Sequence, residues 1–421
     1  MKKEKKKNRK IFYIALFVAL LGLLTGVVGW LVYTRDAREI HSIVYDDYRD
    51  ESSQDVKVIV SHELLRDMSL IPKAFDLAYS YTELVNQKVQ GNDAKISHIL
   101  NCAEKDWISL TWYAAMEDCD YLAYPQDVHY AEITSCGYER IGSTDNYDVY
   151  RHSGKEYDNA WLISQHGNGN EDQLMFYTLQ NQNGDLIVVD GGWTHDADYV
   201  REAIASLGNH VTAWLITHPH PDHAGAFYEI YQNPGEITID RVYAVNMAPP
   251  ALCKENAPWD DMTAYEQWLT LEIPQLTYVS AGDVLDIAGL NFHILSAYGD
   301  YVDEISNDLL NDGSMVFQIT AEEKNMLFCA DAGINMSDYL LQTYGDSLKS
   351  DYLQMGHHGN GGLSDYFYSV VDPDVAFFDA PDWLMEDVND QYTTPERKKL
   401  MQDMGAEVYS FTTAPNRFIL E

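Results

Sequence analysis

An α/β fold of layered strands and covering helices is predicted by three features of the sequence. From about residue 130, short runs rich in β-branched and aromatic residues alternate with turn signals and a few helical runs. Most of the apolar runs are only a strand long, and several end directly in Asp, Gly or His. A dense cluster of histidines follows one such run, at the kind of strand end where α/β sheets bind ligands. No internal repeat and no long low-complexity segment competes with this reading.

In chain order, AWLISQHG and QLMFYTLQ read as strands before an NQNG turn, and DLIVVDGG as a strand ending in two glycines. DADYVREAIASLG is an amphipathic helix, VTAWLIT a buried strand, and AGAFYEIYQN a second helix. RVYAVNM, LNFHILSA, SMVFQIT and NMLFCADAG are further strands. YLLQTYGDSL is helical, DYLQMGHHG runs from strand to loop, and VAFFDA, the helix PERKKLMQDMG and the strand AEVYSFT follow.

Upstream the chain has a different character. Residues 1–10, MKKEKKKNRK, hold seven Lys/Arg and one Glu, and are expected to be a cytoplasmic basic tail. Ile11 to Tyr33 contains no charged residue; 23 residues at about 1.5 Å each would cross a hydrocarbon layer of about 30 Å. The stretch is too long for the apolar core of a cleaved signal peptide and has no polar face, so a transmembrane helix over 11–33 is expected. That places the rest of the chain outside the cytoplasm, tethered to the cell membrane. Residues 34–60 are polar and acid-rich, a juxtamembrane spacer, and 61–150 form an accessory region. Within it, HELLRDMSLIPKAFDLAYSYTELVNQKV has helical spacing around a proline and is expected to form two short helices.

The net charge of −38 is uneven: nine Lys/Arg and three Asp/Glu give the first forty residues +6, leaving −44 on the other 381. A field of that sign repels polyanions, so a long nucleic acid is not the expected partner. The five cysteines, Cys102, Cys119, Cys136, Cys253 and Cys329, form no CxxC pair, which argues against a thiolate zinc site. Outside the cytosol, there is room for one bridge among the first three, and the odd count leaves at least one thiol unpaired.

The chemistry is concentrated in LITHPHPDHAGAF, Leu215 to Phe227. Pro219 and Pro221 deny the loop helical hydrogen bonds and push His218 and His220 toward extended geometry, which lets both rings point to one side. Asp222 and His223 follow at the turn into the next helix. Imidazole and carboxylate ligands without thiolate suit Zn²⁺, with Mn²⁺ or Fe as alternatives.

The HxHxDH spacing resembles the signature of the metallo-β-lactamase superfamily, and the resemblance extends over residues 158–421. It implies an αββα four-layer sandwich and a pair of divalent metal ions. LIVVDGG resembles the family's first motif and implicates Asp190 as an orienting residue beside the site. NMLFCADAG resembles the strand whose terminal aspartate bridges two metals, implicating Asp331. MGHHGNGG resembles the late histidine motif, with His357 the first choice as ligand and His358 a neighbour placed to touch substrate. The implied metal ligands are therefore His218, His220, Asp222, His223, Asp331 and His357.

Within the family the sequence most resembles the hydrolase domain of ComEC-type competence proteins. HGNGNEDQL resembles their Gly-rich hairpin loop, and NDGSMVFQI their Asn/Ser element, which implies Asn311, Asp312 and Ser314 near the metals. YTTPERKKLMQDMGAEVYSF resembles their closing segment, with Thr394 where a histidine often stands. The histidine that many members supply between HxHxDH and the bridging aspartate is missing. His293, the one candidate, sits in an alternating strand and reads as a core or solvent position.

The resemblance implies a hydrolase of phosphodiesters that uses a hydroxide held between the metals. The apolar span makes it membrane-anchored and extracytoplasmic, and the acidic charge makes a small or cell-surface phosphodiester the expected substrate. Hydrolysis of a lactone, amide or β-lactam is the alternative, and a non-catalytic metal-binding surface module the second one. No G-x-S-x-G occurs, so Ser314 is expected to hydrogen-bond rather than attack. Residues Gly359 to Gly362 and the aromatics Trp193, Tyr298 and Trp383 are candidate substrate contacts, and His195 the outlying histidine worth testing.

Overall fold

A computed structural model describes residues 183–411 and 415–421 continuously, 159–167, 172–181, 138–152 and 120–125, the strands at 56–61 and 96–102, and several residues between 35 and 47. The apolar span 11–33, the helical reading of 62–89 and most of the Gly-rich loop at 168–171 lie outside the described residues. No helix among the described residues is long and apolar enough to cross a membrane. The chain divides into two compact units, Met1–His129 with Ile133–Lys155, and Tyr130–Glu132 with Glu156–Glu421.

In the first unit the described residues form a five-stranded sheet, with β1 (Val56–Ser61), β2 (Ile96–Cys102), β3 (Tyr121–Pro125), β4 (Tyr138–Ser143) and β5 (Tyr147–His152) in the order β2-β1-β3-β5-β4. A mostly helical accessory region was the expectation; its described part is a sheet. β1 lies almost wholly in the stretch expected to be a polar spacer and β2 beyond the two expected helices; VKVIVS is rich in β-branched residues, which suits a strand.

The second unit contains two seven-stranded sheets. The first comprises β6 (Trp161–Gln165), β7 (Phe176–Asn181), β8 (Leu186–Asp190), β10 (Ala213–Ile216), β12 (Val242–Val245), β13 (Leu276–Val279) and β21 (Asn416–Leu420), ordered β13-β12-β10-β8-β7-β6-β21. Its β8, β10, β12 and β13 are parallel, whereas β7, β6 and β21 are antiparallel. A minor pair, β9 (His210–Val211) and β11 (Thr238–Ile239), lies apart. The second sheet runs β14 (Val284–Ile287), β15 (Leu290–Ser296), β16 (Val316–Thr320), β17 (Asn325–Phe328), β18 (Tyr352–Gln354), β19 (Val375–Phe377) and β20 (Glu407–Tyr409), each beside the next. Its first four strands are antiparallel and its last four parallel. The strand Asn416–Leu420, which sequence reading missed, closes the first sheet against β6.

Strand alternation explains how the sheets pack. On β7, Tyr177 faces the second sheet, with its ring 5.1 Å from Phe328, while its neighbour Phe176 faces the other way toward Tyr199, 6.1 Å off. Tyr199 belongs to α1 (Ala197–Ser206), so a helix covers the outer face. On β15, Phe292 packs inward against Phe317 and His293 outward against Tyr344 of α7 (Met336–Tyr344). The order is thus helix, sheet, sheet, helix. The remaining helices are α2 (Pro221–Gln232), α3 (Pro250–Asn256), α4 (Thr263–Trp268), α5 (Asp300–Ile305), α6 (Leu309–Asp312), α8 (Asp365–Val371), α9 (Asp382–Glu386) and α10 (Thr394–Met404).

Candidate metal centre

The ligand-type residues gather where parallel strands end. β8 and β10 are adjacent; Asp190 ends the first, and His218 follows the second by two residues. His220 is extended (φ −72°, ψ 156°) and leads into α2, which begins at Pro221. Pro221 is tolerated there because the first helical residue needs no amide donor, and Asp222 sits in the first turn, where the helix dipole favours a carboxylate. Helix α2 thus starts three residues earlier than AGAFYEIYQN suggested. Gly225 allows its close approach to the preceding loop: a Cβ there would lie 2.5 Å from the Thr194 amide nitrogen.

The second sheet repeats the arrangement. β17 and β18 are parallel neighbours, with Asp331 just past one and His357 and His358 just past the other. Here the backbone is unusual. Ala330 (φ 45°), His357 (φ 50°) and His358 (φ 56°) are left-handed without being glycine, as is Asp190 (φ 54°) in the first sheet. Such conformations cost about 1–3 kcal/mol each and persist where surrounding contacts impose them.

Two trios of ligand atoms result, each with its members within 4.8 Å of one another: His218, His220 and Asp331, and Asp222, His223 and His358. Asp331 faces both. Its Oδ1 lies 3.3 Å from His223 Nε2, and its Oδ2 3.5 Å from His358 Nε2 and 3.9 Å from His218 Nε2. His358 Nε2 also lies 3.2 Å from Asp222 Oδ2. The structure therefore puts His358 in the second trio, where the family resemblance had favoured His357. His357 stands beside the trios with its side chain 36% exposed and Nε2 3.9 Å from Asp331 Oδ2.

The rings are aimed from behind. His223 Nδ1 lies 2.7 Å from Asp190 Oδ2, a carboxylate that also accepts from the Thr217 amide at 2.8 Å and the Thr217 hydroxyl at 2.6 Å. His358 Nδ1 faces the Asp379 carbonyl oxygen at 3.0 Å, and His220 Nε2 faces Asp260 Oδ1 at 2.8 Å. Sequence reading missed Asp260 and Asp379, which lie in no motif. With their outer nitrogens engaged, His223 and His358 turn Nε2 inward; these atoms and Asp331 Oδ1 are buried and make no hydrogen bond. His218 Nε2 and His220 Nδ1 approach to 2.9 Å. Outer nitrogens bound to oxygen acceptors, with His223 Nε2, His358 Nε2 and Asp331 Oδ1 convergent and without a hydrogen bond, form a donor set that fits divalent cations.

The electrostatics agree. Burial, reinforced by His223 and His220, holds His218 well below the usual imidazole range, leaving it neutral. For His223 burial pulls the same way, but Asp331 and Asp190 outweigh it and raise the ring well above its ordinary value. His358 is likewise raised to about 10, with burial overcome by Asp331 and Asp222. Asp331 is held well below the carboxylate range by His223 and His358 in spite of burial. The raised His223 and His358 face the lowered Asp331, and divalent ions held by these residues would supply the positive charge that the buried carboxylates call for.

The Asn/Ser element lies against the histidine loop, since the Met315 amide donates to the Thr217 carbonyl at 2.9 Å. Ser314 Oγ donates to the Asn311 carbonyl at 2.6 Å, and Asn311 Nδ2 to Asp308 at 3.0 Å. Asn311 Oδ1 is buried and makes no hydrogen bond. Asp312 pins the turn after Asp331 by accepting from the Gly333 amide at 2.7 Å and Asn335 Nδ2 at 3.1 Å. His293 stays outside, on β15. Trp193 and His195 stack at 6.0 Å, Tyr298 bonds Asp303, and Trp383 packs against Tyr392; none belongs to either trio. Cys253 and Cys329 are buried free thiols.

Residues 175–239 match the metallo-β-lactamase superfamily, a segment that contains Asp190, His218, His220, Asp222 and His223. No curated protein matches the chain. Among solved structures, the metallo-β-lactamase fold protein YhfI from Bacillus subtilis is similar at 14% identity, covering 62% of this chain and 99% of that one with a TM-score of 0.40. A point mutant of CmlA β-hydroxylase is similar at 15% identity, over 63% of this chain and 55% of that one, TM-score 0.41. Rm3 metallo-β-lactamase is similar at 14%, over 57% and 84%, TM-score 0.33.

Proposed function

We propose that this chain is a metal-dependent hydrolase of metallo-β-lactamase type, held at the cell membrane by residues 11–33 and acting on a small or cell-surface phosphodiester outside the cytoplasm. One observation carries the hydrolase reading: Asp331 turns one oxygen toward His223 and the other toward His218 and His358, between two trios of buried ligands. When bound, a divalent pair supplies Lewis acidity and lowers the pKa of a water toward neutrality.

The protein's own groups prepare that chemistry. Asp190 and the Asp379 carbonyl keep His223 and His358 as Nδ1 donors with Nε2 directed inward. Burial of the trios excludes bulk water and strengthens every charge interaction within them. His357, the partly exposed ring beside them, is where a substrate can reach the protein. Phosphoester rather than β-lactam chemistry is favoured by the resemblance of Asn311–Ser314 to the element of ComEC-type hydrolase domains, and the −44 charge beyond residue 40 favours a small substrate over a long polyanion.

Metal-loaded protein assayed in parallel on bis(p-nitrophenyl) phosphate and nitrocefin tests the substrate class. Turnover of the phosphodiester alone is expected; turnover of nitrocefin alone would move the reading to lactam and amide substrates. Less than one equivalent of bound transition metal, unchanged by Asp222→Ala, would leave a non-catalytic module.

A further inference from the structure

Behind the centre, between the two sheets, lies a set of fully buried polar side chains: Gln165, Tyr177, Gln354 and Asp379. Asp379 Oδ1 accepts from the Tyr177 hydroxyl at 2.7 Å and Gln165 Nε2 at 2.8 Å, and its Oδ2 accepts from Gln354 Nε2 at 3.0 Å. Gln354 in turn accepts on Oε1 from the amides of Cys329, at 2.9 Å, and Ala330, at 2.7 Å. Ala330 is the left-handed residue that delivers Asp331, and Asp379's own carbonyl receives His358 Nδ1.

A buried carboxylate bonded only by neutral donors is expensive to desolvate. Its placement has another consequence. Gln354 grips the turn before Asp331, Asp379 grips the ring of His358, and the Gln354–Asp379 hydrogen bond ties the two grips together. Gln165 on β6 and Tyr177 on β7 anchor that unit to the sheet that carries the histidine loop.

We infer that Asp379 and Gln354 are positioning residues for the metal centre, setting the separation of Asp331 and His358 and with it the affinity for the ion held by Asp222, His223 and His358. The inference rests on the proposed reading of the two trios as metal sites. Asp379→Asn keeps the shape but turns a donor toward Tyr177, Gln165 or Gln354. Gln354→Met keeps the carboxylate and removes the acceptor for Cys329 and Ala330. Ile204→Ala, a core truncation in α1 far from the network, is the control for lost stability alone.

The experiment titrates the full-length chain with Co²⁺, following the visible ligand-field bands, the affinity by chelator competition, and the melting temperature. About 10- to 100-fold weaker binding of one of two ions, with altered bands, is expected in Asp379→Asn and in Gln354→Met but not in Ile204→Ala. Should Asp379→Asn not fold, Gln354→Met carries the test alone. Unchanged affinity and bands in a folded variant, with melting lowered as in the control, would reduce the network to a staple and overturn the inference while leaving the metal reading intact. A wild-type chain that takes up no Co²⁺ would overturn both.

Discussion

The two sheets of the second unit solve one problem in different ways. Each places its ligands after a pair of adjacent parallel strands, β8 with β10 in the first and β17 with β18 in the second. The first sheet delivers His218, His220, Asp222 and His223 from one six-residue stretch, whose prolines impose extended geometry and then start a helix. The second delivers Asp331 just after the left-handed Ala330 and His358 from a left-handed backbone of its own, with Gln354 and Asp379, distant in sequence, holding the two turns. Local covalent restraint does in one half what long-range hydrogen bonding does in the other. The backbone of the histidine loop should therefore keep its shape when a single contact is removed, leaving Asp190 and Asp260 to set only the orientation of its rings, whereas the turns that carry Asp331 and His358 should not.

The largest expected effect comes from the residue both trios share. Asp331→Ala should lower hydrolysis by on the order of a thousandfold or more and reduce bound metal at both trios, measured by elemental analysis beside steady-state rates. Asp222→Ala touches one trio only; about one equivalent should be lost while His218, His220 and Asp331 retain theirs. Equal loss from both variants would erase the distinction between a shared and a private ligand.

Two orienting carboxylates sharpen the comparison further. Asp190→Asn disturbs a fully buried carboxylate with three donors, and should weaken metal binding toward the upper end of about 10- to 100-fold. Asp260→Asn acts on His220 from a more accessible position, 11% exposed, and should fall at the lower end of that range. A larger effect from Asp260 would shift the main restraint on the histidine loop away from Asp190.

The smallest effect at neutral pH is expected for His166, which grows in importance only on acidification. Burial, with Arg417 nearby, lowers this ring to about 3 from 6.5, and it stacks on Phe176 and lies 2.8 Å from Thr178 Oγ1. Its folded value lies below its unfolded one, so its contribution is complete above pH 6.5 and is lost as pH falls toward 3, by about 5 kcal/mol at most. Asp379 has the opposite sign: burial raises it to about 6 from 3.8, so its contribution is complete below 3.8 and is lost as pH rises through 6. Urea unfolding of the metal-free protein across pH should show a flatter acid limb in His166→Gln than in wild type. Parallel limbs would remove His166 from the acid response.

Much of the second unit was legible beforehand because its strands are short apolar runs closed by turn residues. Those at Trp161, Phe176, Leu186, Ala213, Val242, Leu290, Val316, Asn325, Tyr352, Val375 and Glu407 all lie within runs read as strands. The closing strand Asn416–Leu420 was missed because NRFIL has too few residues to show a period, and its partner β6 lies about 250 residues away in sequence. In the first unit VKVIVS was read with the spacer because the polar and acidic residues directly before it dominate the composition of residues 34–60.

The same boundary runs through the metal centre. HxHxDH was readable because its geometry is set within six residues by prolines and a helix start, and such restraints travel with the sequence. Asp190 and Asp331 were reached through the resemblance of LIVVDGG and NMLFCADAG to family motifs. The choice between His357 and His358 was not readable, since adjacent residues in left-handed backbone aim their rings differently only once Ala330, Gln354 and Asp379 have set the turn. Asp260 and Asp379 lie in no motif, and their roles come from hydrogen bonds across 40 and 21 residues. The sequence by itself determined which donors the chain brings and the shape of one loop, because bonded sterics act over a few residues. Only the tertiary structure decided that Asp331 joins His218 and His220, that His358 joins Asp222 and His223, and what holds them, because hydrogen bonds between strand ends exist only after the sheets have packed.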